Sequence, residues 1–188
     1  MSAPCTLSSG IPQGSILGPL LFVIYVNDLF TSLRYCQVTQ YADDTTIYLT
    51  ADNLNEIIPK VNLDLISLEE WFNCNKLLVN ATKTNSIIFH HTCNPYMRPL
   101  PPLKMHGNVI CTTQTINLLG IHLDATLTWR SHVDHTYSKI CQSLYAINML
   151  KNMLSRKILL TMYFGLIHSH LSYGILLWGN AQKSIIKK

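Results

Sequence analysis

The stretch that decides the fold is Tyr35-Cys36-Gln37-Val38-Thr39-Gln40-Tyr41-Ala42-Asp43-Asp44-Thr45-Thr46-Ile47-Tyr48-Leu49-Thr50. β-branched and aromatic residues flank Asp43 and Asp44 on both sides with no helical period, which predicts a hairpin with an acidic tip. Adjacent carboxylates repel one another and are normally kept apart. They make sense where a divalent cation neutralises them: Mg²⁺ takes oxygen ligands and is typically held by one or two carboxylates together with substrate phosphates. A solvated turn explains a lone Asp-Asp pair equally well, so the neighbouring segments have to decide.

Upstream, Gly10 to Gly18 is a loop of Gly, Pro and Ser, followed by an apolar run that ends at Asn27-Asp28. This predicts a helix from about Pro19 to Leu29, with proline tolerated in a first turn that has no backbone donors to lose. Downstream, apolar residues at 54, 57, 58, 61, 65, 68 and 72 trace one helix face ending near Asn75, with Pro59 placing a kink or a late start. Thr84 to Phe89 reads as a short strand, and residues 93–108 as a proline-bearing connection. Ile116 to Leu123 reads as a further strand with its turn at Gly120, and after Trp129 positions 133, 137, 140, 144 and 147 return to a helical stripe. A mixed part over residues 1–125 and a helical part over 126–188 are therefore expected.

The 188 residues are 48% hydrophobic and only 13% charged, against roughly 25% charged in an ordinary globular domain. The net charge of +4 conceals an uneven distribution. Residues 1–75 hold eight acids against Arg34 and Lys60, a balance of −6, while residues 76–188 hold twelve bases against two acids, a balance of +10. An acidic half beside a basic one fits a metal site next to a polyanion track, although scattered cations also simply solubilise helices. Six cysteines without a C-x-x-C pair argue against a disulfide framework and a zinc ribbon. With no signal-peptide pattern, an intracellular protein of nucleus or cytoplasm is expected, not a secreted one.

Order and context give the acidic pair its meaning. Tyr41-Ala42-Asp43-Asp44 resembles the Tyr-x-Asp-Asp box of reverse transcriptases, and Ser9-Gly10-Ile11-Pro12-Gln13-Gly14-Ser15-Ile16-Leu17-Gly18-Pro19-Leu20 resembles that family's preceding motif B. Trp71-Phe72, Asn75-Lys76-Leu77 and Asn80-x-x-Lys83-Thr84 are similar to motif D. Leu118-Leu119-Gly120-Ile121 with Asp124 and Trp129 resembles the primer-grip hairpin and the start of the thumb, while His168 to Gly174 and Trp178-Gly179 are similar to the thumb's end in LINE-like elements. The resemblance runs over roughly residues 8–180 and is to RNA-directed DNA polymerases of non-LTR retrotransposons.

This resemblance implies an α/β (α+β) fold: a partial polymerase palm, an antiparallel sheet with packed helices, followed by a helical thumb. It implies Asp43 and Asp44 as catalytic ligands of Mg²⁺ or Mn²⁺, and Lys83 as a group that neutralises or protonates the leaving pyrophosphate. Pro12, Gln13, Gly14, Ser15, Tyr41 and Ala42 would form the nucleotide site, and Leu118, Leu119 and Gly120 would hold the primer end. The implied partners are an RNA template, a DNA primer and a dNTP. In the family a further metal-binding aspartate, in motif A, precedes motif B; here nine residues precede Gly10, and the first acid of the chain is Asp28. The expectation is a truncated polymerase, inactive by itself, with an exposed sheet edge and apolar face.

Four other classes bear on the same residues. Residues 158–178 carry no Asp, Glu, Lys or Arg over 21 positions, long enough for a membrane span, but His168, Ser169 and His170 in the middle are expensive for lipid. Ser15 does not fit the Gly-x-Ser-x-Gly elbow of a hydrolase, and His90, His91, Cys93, His106 and Cys111 match no zinc template. A non-catalytic nucleic-acid binder, built on the basic region after residue 76, is the runner-up.

Overall fold

A computed structural model describes residues 14–91 and 101–186. In chain order the elements are helix α1 (Gly18–Val26), a 3₁₀ turn (Leu29–Ser32), strands β1 (Gln37–Tyr41) and β2 (Asp44–Tyr48), helix α2 (Leu54–Cys74), and strands β3 (Asn85–Ser86), β4 (Lys104–Met105), β5 (Asn108–Val109), β6 (Cys111–Thr112), β7 (Thr115–Leu118) and β8 (Ile121–Asp124). Helices α3 (Arg130–Leu150), α4 (Arg156–Tyr163), α5 (Ser169–Ser172), α6 (Ile175–Trp178) and α7 (Lys183–Ile186) follow, with a π turn over Phe164–His168. It is a mixed helix and strand protein in which the described sheets are all two-stranded. Residues 14–84 with 101–111 form one compact unit, and residues 85–91 with 112–186 form the other.

In the first unit, β1 and β2 pair antiparallel from Gln37↔Tyr48 to Tyr41↔Asp44, the hairpin that the β-branched and aromatic residues around Asp43-Asp44 predict. Because side chains alternate across a strand, Val38 and Ile47, paired to each other, turn one face of the ribbon to the core. That core is Leu29, Leu65, Leu68, Met105 and Ile110, with Leu33, Val61, Trp71, Phe72, Val79 and Leu103 around it. Burying each such side chain contributes about 1.5–3 kcal/mol. The stripe on α2 supplies Leu65 and Leu68 as expected, and Asn53 caps the helix by accepting from the Asn55 amide at 3.0 Å. Pro59 lies inside α2 and removes one backbone bond without ending the helix.

The ribbon's entry is fixed by one buried acid on α2. Asp64, 1% exposed, accepts the backbone N–H of Arg34 at 3.0 Å, of Tyr35 at 2.9 Å and of Cys36 at 2.6 Å. Burial alone would raise its pKa, but the amides of Cys36, Arg34 and Tyr35, with the Cys36 thiol, hold the carboxyl below the usual carboxylate range. Burial, and then the hydrogen bond and charge of Asp64, push the Cys36 thiol up to about 12.

Several expectations need correction. The first helix stops at Val26 and gives way to the 3₁₀ turn instead of reaching Leu29. The strand at Thr84–Phe89 shrinks to Asn85–Ser86, since β-propensity makes a strand only where a ladder partner runs alongside. Within the presumed connection 93–108, whose first part lies outside the described residues, β4 and β5 form a small hairpin. His106 and Gly107 turn it with φ of +47° and +74°, and a His-Gly pair is a weaker primed-turn signal than Asn-Gly. The apolar run 158–178 breaks at the π turn and again at Tyr173-Gly174, where Gly174 has φ +64°. Among the described residues no helix is long and apolar enough to cross a membrane.

The apolar residues left open are on α1, where the expectation had been the sheet: Leu20, Leu21, Val23, Ile24 and Tyr25 all stand exposed, and only Val26 of this helix is buried. A helix apolar around its circumference normally lies in an interior.

Replacing Asp64 by Asn keeps its shape but turns an amide N–H₂ toward backbone donors. Urea unfolding of Asp64→Asn is expected to lose about 2–4 kcal/mol. A change below about 0.5 kcal/mol, the ordinary range for surface substitutions, would show that this carboxylate does not anchor the ribbon.

Candidate functional site

The tip of the β1–β2 ribbon closes through the two residues Ala42 and Asp43, between the paired Tyr41 and Asp44. Ala42 has φ +52° whereas Asp43 has no positive φ, the φ pattern of a II′ turn. The position favours glycine, and an L-residue held there costs roughly 1–2 kcal/mol. Strain of this kind concentrates where geometry serves function. Tyr41, Ala42, Asp43 and Asp44 are all exposed. Tyr41 and Asp44, opposite each other in register, lie on the ribbon face away from Val38 and Ile47. Two neighbouring carboxylates at an open tip can together present four oxygens to a hard cation.

Of the other nucleotide-site candidates, Pro12 and Gln13 lie outside the described residues. Gly14 has φ +89° with open space where a Cβ would stand, so the backbone there is accessible to a ligand. The Ser15 carbonyl accepts the Gly18 amide at 3.3 Å as α1 begins. Lys83 is exposed and sits in an Asx turn: Asn80 Oδ1 accepts from Thr82 N at 3.1 Å, Thr82 Oγ1 at 2.6 Å and Lys83 N at 3.3 Å. That turn is the physical content of the Asn80-x-x-Lys83 spacing.

The primer-grip candidates belong to the second unit, described by itself. β7 and β8 pair from Thr115↔Asp124 to Leu118↔Ile121, closing through Leu119 and Gly120. Both have positive φ, +49° and +82°, the signature of a type I′ turn. Downstream, the half-buried Asp124 holds the exit. Its Oδ2 accepts from Thr126 Oγ1 at 3.0 Å, Thr128 N at 2.8 Å and Thr128 Oγ1 at 2.7 Å, and its Oδ1 accepts from Trp129 N at 2.8 Å. Burial works against this carboxylate, but the bonds from Thr128, Trp129 and Thr126 hold it below its ordinary range. Asp124 thereby fixes the segment that leads into α3, whose N-terminal flanking residue Trp129 is left-handed at φ +67° and makes no side-chain cap of its own.

His132 and His135 share a face of α3, where sequence alone reads surface or packing residues, and they form part of a histidine cluster in the same unit. His122 on β8 donates its backbone N–H to His132 Nδ1 at 3.4 Å, and its ring lies 4.4 Å from that of His135. His132 is 3% exposed, packs 5.6 Å from the Trp178 ring and has no partner for Nε2. Burial, then the positive charges His122 and His135 would carry, depress its pKa; burial, then His122, Lys139 and His170, depress that of His135. The i and i+3 spacing of His132 and His135 on α3 was the available signal. Among the described residues, no group of three or more His, Cys, Asp or Glu stands where it could hold a metal ion.

Residues 2–123 match the family described as "Reverse transcriptase (RNA-dependent DNA polymerase)", and the chain belongs to that family. It is 29% identical over 196 residues to "Probable RNA-directed DNA polymerase from transposon BS" of Drosophila melanogaster, covering 97% of this chain and 21% of the relative. The "RNA-directed DNA polymerase from mobile element jockey" of the same fly is 25% identical, over 97% of this chain and 20% of its own length. A "Retrovirus-related Pol polyprotein from type-1 retrotransposable element R1" of Bradysia coprophila is 26% identical, over 92% and 17% respectively. The kinship with non-LTR retrotransposon polymerases that the motifs predict is thus borne out over nearly the whole chain. The chain spans about a fifth of the length of these curated relatives. No solved structure matches it.

Two outcomes follow from this geometry. Ala42→Val should be less stable than Ala42→Gly by about 1–2 kcal/mol in chemical denaturation, because only glycine occupies positive φ freely; equal stabilities would contradict the left-handed turn. For His132 the folded pKa lies below the unfolded 6.5. The unfolded chain therefore takes up protons first as pH falls, so stability is full above 6.5 and declines below it. His132→Phe should flatten that decline when melting temperature is followed from pH 7.5 to 5, and an unchanged slope would assign it to other groups.

Proposed function

We propose that this chain forms part of the palm and thumb of a non-LTR retrotransposon reverse transcriptase, with palm elements over residues 1–125 and a thumb-like helical region over 126–188. Its place of work is the nucleus or cytoplasm, and its partners are an RNA template, a DNA primer and a dNTP. The observation that carries the reading is the tip itself: adjacent, exposed Asp43 and Asp44 on a register-fixed ribbon, turned by a strained Ala42.

The donor chemistry at this tip fits Mg²⁺ or Mn²⁺, since two carboxylates offer hard oxygen ligands and leave the remaining positions to phosphate and water. Such a cation, when bound, activates the primer 3′-hydroxyl and steadies the departing pyrophosphate. Asp43 and Asp44 hold it in reach of the growing end. Tyr41 and Ala42 line the nucleotide beside them, and Pro12, Gln13, Gly14 and Ser15 form the loop that meets its phosphates and the template, with free backbone approach at Gly14. The Lys83 ammonium neutralises or protonates the leaving pyrophosphate as its bond to the α-phosphorus breaks. Leu118, Leu119 and Gly120 hold the primer terminus in line for attack.

A two-metal site shares its cations among more carboxylates than the two at this tip. The chain by itself should therefore bind cation without turning over. Mn²⁺ titration followed by electron paramagnetic resonance is expected to show binding that weakens at least about tenfold in Asp43→Asn/Asp44→Asn, the scale on which even outer ligands matter. Primer extension on oligo-primed RNA with Mg²⁺ or Mn²⁺ should show no incorporation. Unchanged Mn²⁺ affinity would remove the anchor role, and robust extension would overturn the inactivity of the isolated chain.

A further inference from the structure

We infer that Tyr173 is a positioning residue for the primer-holding turn, its phenol clamping Leu119 and Gly120 from the helical region; this rests on reading that turn as the primer grip. Three independent contacts converge. The Tyr173 hydroxyl donates to the Leu119 carbonyl at 2.5 Å across 54 residues of sequence. A Cβ built on Gly120 would stand 3.5 Å from Tyr173 Cε1 and 3.9 Å from its Oη, so the ring lies over the bare glycine. One residue on, a Cβ at Gly174 would come within 2.5 Å of Ile121 Cδ1, so the helix break itself abuts the first residue of β8.

The clamp needs a fixed base, and Tyr173 has one. Its amide donates to the Ser169 carbonyl at 3.1 Å, and its carbonyl accepts from Trp178 Nε1 at 2.8 Å. Trp178 is itself buried. The left-handed Gly174 then redirects the chain so that the phenol faces the hairpin while the next helix departs.

The turn has reason to need holding. A type I′ turn with leucine at its first corner keeps a bulky side chain at φ +49°, a conformation such residues leave readily. The carbonyl of a corner residue also has no ladder partner, and Tyr173 supplies one. A primer end misplaced by about 1 Å loses its attack geometry, so a tether on the carbonyl between the two corners acts where displacement matters.

Tyr173→Phe removes one half-exposed hydroxyl and tests the inference by two readouts. A DNA primer with 4-thiothymidine at its 3′ end, annealed to RNA, is bound to the chain at low salt and irradiated. The native chain is expected to crosslink within residues 115–124. Tyr173→Phe should keep total binding within about twofold, lose most of that crosslink, and show about fivefold faster amide exchange at residues 118–121, the scale of one hydrogen bond. If the native chain gives no crosslink in 115–124, the primer-grip reading fails and the inference falls with it. A native crosslink that Tyr173→Phe retains undiminished, or unchanged exchange at the turn, refutes the clamp alone. Helix content by circular dichroism accompanies both, and Tyr163→Phe, whose ring packs beside Phe164 and His168, should match the native chain; if it too loses the crosslink, the effect is general and the clamp is refuted.

Discussion

The first unit depends on one carboxylate. Asp64 collects three consecutive backbone amides at the entrance to β1, and these donors, buried and unmet, would each cost about 1–3 kcal/mol. Their bonds to a side chain on α2 fix where the ribbon starts. Strand register propagates that start without slack, because a slip of one residue would exchange the two faces of the ribbon. Val38 and Ile47 could then no longer reach the core, and the acidic tip would turn over. The position of Asp43 and Asp44 is thus set from the ribbon's entrance at residues 34–36, by an acid further along the chain on α2.

The second unit solves a similar problem with the same means. Asp124 gathers Thr126, Thr128 and Trp129 onto one carboxylate and launches α3 from a left-handed residue that no ordinary N-cap serves. In both units an irregular backbone segment is stabilised by a partly or wholly buried acid whose ionised form accepts several donors. Charge-assisted bonds of this kind are stronger than neutral ones, which suits sheets that never exceed two strands among the described residues and have few ladder bonds of their own.

Much of this was legible in the sequence. The helices at 54–74 and 130–150 follow from periodicity, the ribbon at 37–48 from its β-branched and aromatic residues, and the tip from four consecutive residues whose order relative to Gly14 and Lys83 is distinctive. The shape of the tip was not legible, because alanine carries no signal for positive φ; only the closed register between Tyr41 and Asp44 forces it there. Asp64 was equally silent, since it falls between the apolar positions 61 and 65 and reads as a solvated face. Its partners lie 28 to 30 residues upstream and are backbone amides, which no residue identity announces. The β4–β5 hairpin escaped because a His-Gly corner and two-residue arms are too short for any alternation to register.

The distances along the chain at which these supports act also order events during synthesis. The acidic ribbon is complete once residue 48 has been made, yet the side chain that secures its entrance is still some sixteen codons from translation. The turn at Leu119 waits far longer for its phenol. A ribosome that terminates in either interval releases a polypeptide that carries the corner's residues but lacks the group that secures it.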